Sequence, residues 1–244
     1  MYSTDANYYG QKAADKLPYA LINASVRFPS GIYLSGMAYR LLEEAAAISA
    51  GSLTAGAQLP LSSRLSADLA FSHSFFPNNS PFVQFANANT ASAGITLEHL
   101  FTTGLSADFA FGEQNDVFIS FNNSVPVSLG SLFDNQDLIS FTPALEIVAG
   151  SSHFYETYVI EKQRRDSILG IPVFNPFPVT DTETQQQLGK DFGLFSYNLR
   201  LPLSYSRSRY LFDATCQLSW LHRDLQNNIN KPASFFNFSF YYQF

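Results

Sequence analysis

The sequence predicts an all-β fold: a transmembrane antiparallel up-and-down β-barrel of about twelve strands. Three observations carry that expectation. Apolar and polar residues alternate with period two along nearly the whole chain, which is strand periodicity. The apolar parity is rich in aromatics (24 Phe and 13 Tyr) while only 14% of residues are charged, against roughly 25% in ordinary soluble chains. Connections alternate between tight turns and long loops, as they do when neighbouring antiparallel strands follow one another in sequence.

The strands read in order as residues 17–28, 32–42, 48–61, 64–75, 89–100, 105–113, 117–127, 138–150, 153–162, 192–203, 209–222 and 235–244. In the fourth, Leu65, Ala67, Leu69, Phe71, His73 and Phe75 oppose Arg64, Ser66, Asp68, Ala70, Ser72 and Ser74. The sixth nearly repeats it: LSADFAF matches the LSADLAF of the fourth, with Asp108 in the place of Asp68. Tyr210 to Thr215, with Asp213, is a looser third copy. Tight connections are expected at Pro29-Ser30-Gly31, Ser62-Ser63, Thr102-Thr103-Gly104 and Ser204 to Ser208. Residues 1–16 read as an N-terminal segment or surface loop, and 17–244 as one barrel domain with a long loop at about 163–190.

The strand count turns on residues 138–162, which keep one parity through Gly150-Ser151-Ser152. As a single long strand they give eleven strands and put Pro60, Pro126 and Pro202 beside turns on one rim. Single-chain bacterial barrels usually have an even count, so that reading implies a first strand missing from the sequence. Split in two, the residues give twelve. The one-strand reading is preferred. MYSTDANYYG has no basic n-region and no apolar h-region, so the chain is either cytoplasmic or a mature form or fragment; the alternation favours the second.

Which solvent meets the apolar face follows from the polar one. That face is Ser, Thr, Asn, Gln and Gly, and all five lysines (Lys12, Lys16, Lys162, Lys190, Lys231) fall at strand ends or in loops. A soluble sheet carries lysine and glutamate outward; a water-filled lumen suits small polar groups with charges kept to the rims. The mean hydropathy of -0.03 excludes a bundle of membrane helices. The net charge of -6 and the lack of a basic stripe argue against nucleic acid. A single cysteine, Cys216, excludes an internal disulfide.

The chain ends FFNFSFYYQF, with Phe236, Phe238, Phe240, Tyr242 and Phe244 on one parity. This ending resembles the outer-membrane β-barrel proteins of Gram-negative bacteria, and SYNLRLPLSY followed by it looks like barrels of the Bacteroidetes type. The resemblance implies a bacterial outer-membrane location, contact with outer-membrane lipids, and recognition of Phe240, Tyr242 and Phe244 by the barrel assembly machinery. It implies no cofactor and no specific activity.

His73, His99, His153 and His222 all fall on the apolar parity, where amphipathic rings suit a membrane interface. None shares the lumen parity with a carboxylate, so a luminal His–Asp pair or metal site is not expected. Ser151-x-His153, and Ser74 beside His73, invite comparison with outer-membrane phospholipases. Those carry His-x-Ser followed by an asparagine, and neither site matches. The charged residues say more. Asp68, Glu98, Asp108 and Asp213 lie near short turns on the lumen parity, and so do Arg27 and Arg200. They are expected to line a polar constriction at similar depth, or else to form a salt-bridge network filling a closed barrel. The function that follows is porin-like or weakly selective passage of small solutes. The alternative is a non-enzymatic structural or accessory subunit of an envelope complex that docks another envelope protein; a lipid-modifying enzyme comes third.

Overall fold

Alternation decides which way each wall residue faces, and main-chain pairing decides the order of the wall. The structure, a computed structural model, describes residues 1–12, 17–42, 48–77, 87–112, 115–133, 137–151, 192–222 and 232–244. Its strands in chain order are β1 (Tyr2–Ser3), β2 (Asn7–Tyr8), β3 (Gln11–Lys12), β4 (Tyr19–Arg27), β5 (Ile32–Leu41), β6 (Ala50–Pro60), β7 (Leu65–Phe75), β8 (Asn89–Glu98), β9 (Thr102–Phe111), β10 (Asn115–Ser124), β11 (Val127–Gly130), β12 (Asp137–Phe141), β13 (Ala144–Gly150), β14 (Gly193–Arg207), β15 (Tyr210–Leu221) and β16 (Ala233–Tyr242). β2 and β3 make a small hairpin of their own; the rest join one antiparallel sheet.

That sheet closes on itself. Consecutive strands pair from β4 to β10, β10 pairs with β13, β13 with β14, β14 with β15, and β15 with β16. β1 then bridges β16 and β4. β10 with β11, and β12 with β13, each fill one wall position, so the barrel has twelve strands.

The breaks inside those two positions have one cause. Pro126, Pro143 and Pro202 sit on neighbouring strands at adjacent register positions, and a proline offers no N–H to the ladder. The register nevertheless runs straight through. Ser124 pairs with Ala144 before the break and Val127 with Phe141 after it. Carbonyls still accept at the break: Val125 donates to Pro143 O and Thr142 to Pro202 O, both at 3.1 Å.

The apolar face looks outward. Ile22, Leu53, Leu69, Phe71, Ile95, Leu105, Phe109, Phe212, Phe238 and Phe240 are all exposed, while Ser52, Thr54, Ser66, Ser72, Ser92, Thr96, Ser106 and Ser239 on the other parity are not. Aromatic groups gather in two belts on this outer surface. Phe71, Phe109 and Phe111 lie toward the long-connection rim, with ring centroids 5.4–6.3 Å apart. Tyr210, Phe212, Phe240 and Tyr242 lie toward the short-turn rim, with centroids 4.9–5.9 Å apart. An apolar band between two aromatic belts is the outer surface of a barrel solvated by lipid. His73 belongs to it, with Nδ1 2.8 Å from Asn89 Oδ1 on the same outer face.

Several expectations are revised. Residues 138–150 belong to a single wall position that pairs directly with β14, so among the described residues no separate strand lies between them; 153–162 lies outside the described residues, as does the loop at about 163–190. The wall position that the eleven-strand reading left empty is filled by Tyr2–Ser3, inside the segment expected to be a surface loop. The turn expected at Thr102-Thr103-Gly104 sits three residues earlier, at His99 to Phe101, where Phe101 N donates to His99 Nδ1. The turn expected within Ser204–Ser208 sits at Ser208-Arg209, because β14 runs on through Pro202 to Arg207 and Ser208 supplies the positive φ of 51°.

Candidate functional site: a lumen narrowed from within

Register assigns the inward face unambiguously. Asp68 pairs with Gln58 and Gly94, Asp108 with Ser92 and Phe118, Arg200 with Ala144 and Gln217, and Asp213 with Ser204 and Ser239. Arg27 pairs with Tyr33, and Glu98 with Thr102. All six charged residues therefore face the lumen. Their partners sort them into three groups rather than one ring.

Near the short-turn rim, Arg27 Nη1 donates to Gln58 Oε1 at 2.7 Å and its guanidinium lies 5.9 Å from the Tyr33 ring centroid. Tyr33 crosses Gly56, where a Cβ would fall 2.3 Å from the ring, and donates its hydroxyl to Asp68 Oδ1 at 3.0 Å. Glu98 is exposed at the same rim. On the opposite wall, Asp213 accepts from Ser204 Oγ at 2.8 Å and Thr215 Oγ1 at 2.7 Å.

The second group lies deeper. Arg200 is 3.7 Å from Glu146, whose other oxygen accepts from Asn198 Nδ2 at 3.1 Å. Asn198 also donates to Ser196 Oγ, and Gln217 Nε2 donates to Ser219 Oγ at 2.9 Å. Asn198, Ser196 and Ser219 are almost fully buried. Buried polar groups in this sector satisfy one another, as a dry wall requires.

The third group is an inward-folded N-terminal segment. After Ser3 the chain leaves the wall and enters the lumen. Tyr9 stacks on Phe118 with ring centroids 4.1 Å apart and planes 15° from parallel, and its hydroxyl donates to Asp108 Oδ2 at 2.8 Å. Ser196 Oγ donates to the Tyr9 carbonyl. Gly10, with φ +96°, comes so close to the wall that a Cβ would fall 2.4 Å from Asn198 Oδ1. Phe118, Val148 and Phe195 form the apolar seat beneath it. Phe195 is the extra residue of a bulge between Val148–Ser196 and Ala149–Leu194; the bulge turns into the lumen a side chain that simple alternation would send to lipid. Along the ladder Asp108 lies two residues beyond Asp68's row (Gly94, Ser106), about 7 Å further toward the long-connection rim. It thus belongs with this plug, on a different register row from Asp68.

The plug fills one side. Beside it remains a cavity of about 310 Å³, lined by Tyr9 and Asn7 of the plug and by Tyr19, Tyr39, Ser52 and Thr90 of the wall. Glu146, Asp116 and Tyr9 escaped the sequence reading. Glu146 was legible, since it alternates with Leu145 and Ile147. Asp116, which accepts from Ser151 Oγ at 2.7 Å and Asn87 Nδ2 at 3.0 Å, was legible in the same way. Nothing in the sequence marked Tyr9. Of the pairs considered for lipid hydrolysis, Ser74 and His73 face opposite sides of the wall. Ser151 is bonded to Asp116, and His153 lies outside the described residues.

No protein-family model and no curated protein matches this chain. Solved structures do. A KdgM porin superposes with a TM-score of 0.54 over 100% of this chain and 97% of its own, at 10% identity. A KdgM porin in complex with disordered oligogalacturonate gives 0.50 over 93% of each chain at 12% identity. A NanC porin gives 0.50 over 100% and 98% at 6% identity. The likeness is one of fold. At such identities it speaks for the shared barrel, and the lumen residues of this chain have to be read on their own chemistry.

Proposed function

We propose that the protein is a bacterial outer-membrane barrel that passes small neutral or cationic solutes through a narrowed polar lumen. The observation that carries this is the pairing of a lipid-facing apolar wall with a lumen lined by hydroxyls, amides and an excess of carboxylates. Among the described wall residues facing the lumen, Asp68, Glu98, Asp108, Asp116, Glu146 and Asp213 stand against Arg27 and Arg200. An excess of carboxylates attracts cations along a confined path. In this reading Asp68, Glu98, Asp108 and Asp213, balanced in part by Arg27 and Arg200, set the selectivity. One structural neighbour is described with bound oligogalacturonate, a polyanion; the carboxylate excess here repels such a solute, so the shared fold carries a different preference. Orientation follows the resemblance, with short turns on the periplasmic side and Phe240, Tyr242 and Phe244 read by the assembly machinery.

The test is the reversal potential of the purified protein in a planar bilayer under a KCl gradient. Wild type should favour K⁺, and Asp68→Asn with Glu98→Gln should lower the cation-to-anion permeability ratio by about 2- to 5-fold, as expected when a field in a confined path is weakened. A wild-type preference for Cl⁻ would refute the selectivity, and a complete absence of conductance, even with the plug removed, would favour a structural subunit.

A further inference from the structure

Three tyrosine rings from three segments line the cavity beside the plug. Tyr19 of β4 and Tyr39 of β5 come from the wall. Register sets them on a diagonal, Tyr19 opposite Leu41 and Tyr39 opposite Leu21, with ring centroids 5.8 Å apart and planes tilted by 52°. Tyr9 comes from the plug, on the turn that Asn7 fixes by accepting from Gly10 N at 2.8 Å. Small side chains leave the room between the rings. Ala50 pairs with Tyr39 and Ala110 with Thr90, and both alanines are buried.

Negative charge stands directly behind this lining. The Tyr9 hydroxyl donates to Asp108 Oδ2 at 2.8 Å. Asn87, another lining residue, donates from Nδ2 to Asp116 Oδ2 at 3.0 Å. Hydrogen bonds polarise the groups they join, so a tyrosine donating to a carboxylate carries more electron density on its ring. That strengthens the negative face of the ring quadrupole.

Aromatic rings attract cations through that quadrupole, most strongly where the cation has shed its water. The two carboxylates behind the lining add to the attraction and repel anions. A divalent metal ion would need several oxygens in one shell, and among the described residues no three His, Cys, Asp or Glu side chains gather to hold one. We propose that the cavity binds a small organic ammonium ion, with its alkylated nitrogen among Tyr9, Tyr19 and Tyr39 and a hydroxyl tail bonded to Ser52 or Thr90. A volume of about 310 Å³ suits a solute of that size. The assignment rests on the cation-favouring lumen argued above and narrows it to one class of solute.

The experiment titrates full-length protein in detergent micelles, by calorimetry, with choline, with its neutral isostere in which carbon replaces the charged nitrogen, and with glucose. Choline should saturate a single site and bind about 5- to 30-fold tighter than the isostere, the range that a desolvated cation–π contact gives. Tyr39→Leu and Tyr19→Leu should each weaken choline about 2- to 5-fold and leave the isostere unchanged. Tyr39→Phe, which keeps the ring, should bind choline as wild type does. Equal affinity for choline and the isostere, tighter binding of glucose than of choline, or no saturation by choline would overturn the proposal. Choline binding without any conductance in bilayers would uphold the site and retire the transport reading. K⁺-selective conductance in a protein that choline does not saturate would overturn the site and leave the transport reading standing.

Discussion

Replacing Tyr9 with alanine removes two of the contacts that hold the inward segment across the lumen and leaves in place the bond from Ser196 Oγ to its carbonyl. The stacked pair with Phe118, at 4.1 Å, is worth about 0.5–1.5 kcal/mol beyond burial. The hydroxyl bond to the Asp108 carboxylate, at 2.8 Å, is a bond to a charged group and contributes about 1.5–3 kcal/mol. Together the loss is about 2–4.5 kcal/mol, which shifts the docked-to-undocked ratio roughly 30- to 2,000-fold. The assay is single-channel recording of purified protein in planar bilayers at fixed salt. Tyr9→Ala should show a larger unitary conductance and a greater open fraction than wild type. Tyr9→Phe keeps the stack and loses only the hydroxyl bond, so it should fall between them. Conductance and open fraction unchanged in Tyr9→Ala would refute the assignment of this segment as the element that narrows the lumen.

Two further outcomes follow from the same geometry. Gly10→Ala places a Cβ 2.4 Å from Asn198 Oδ1 on a backbone at φ +96°, so it should reproduce the open phenotype, and combining it with Tyr9→Ala should add little because both act on one docked state. Leu69→Arg, on the lipid face, should cost about 2–4 kcal/mol in urea unfolding from vesicles, whereas Ala70→Arg, one residue on and facing the lumen, should cost clearly less; equal losses would mean that the two faces are misassigned.

The wall was legible because a strand has one period and two faces. From Asp68 to Asp213, assigning a residue to the lumen needed only its parity relative to Leu69 or Phe212. The same rule hides what breaks it. Phe195 has the parity of a lipid-facing residue and points inward because a bulge adds one position to β14, which no local pattern announces. Tyr9 gave no signal, since its partners Phe118 and Asp108 lie a hundred residues away and meet it only when the barrel closes. Turn positions moved by a few residues where Thr-Thr-Gly or a serine run offered plausible turn chemistry, while the ladder continued through it. Asp108 was grouped with Asp68 by its distance from a turn expected at Thr102-Thr103-Gly104. That turn sits at His99 to Phe101, so Asp108 lies further along its strand than Asp68 does along β7.

The aligned Pro126, Pro143 and Pro202 have a mechanical consequence. Each withholds an amide hydrogen where its neighbours would also donate, so cross-strand cohesion is thinnest along one line through three consecutive strands. β11, β12 and the last turn-side residues of β14 lie beyond that line. Of these, β14 stays tied to β15 across the line, from Leu201–Cys216 to Arg207–Tyr210, so β11 and β12 are the strands the line sets apart. The fold thus contains a perforation: a line of thinned main-chain bonding between β11 and β12 on one side and β10 and β13 on the other.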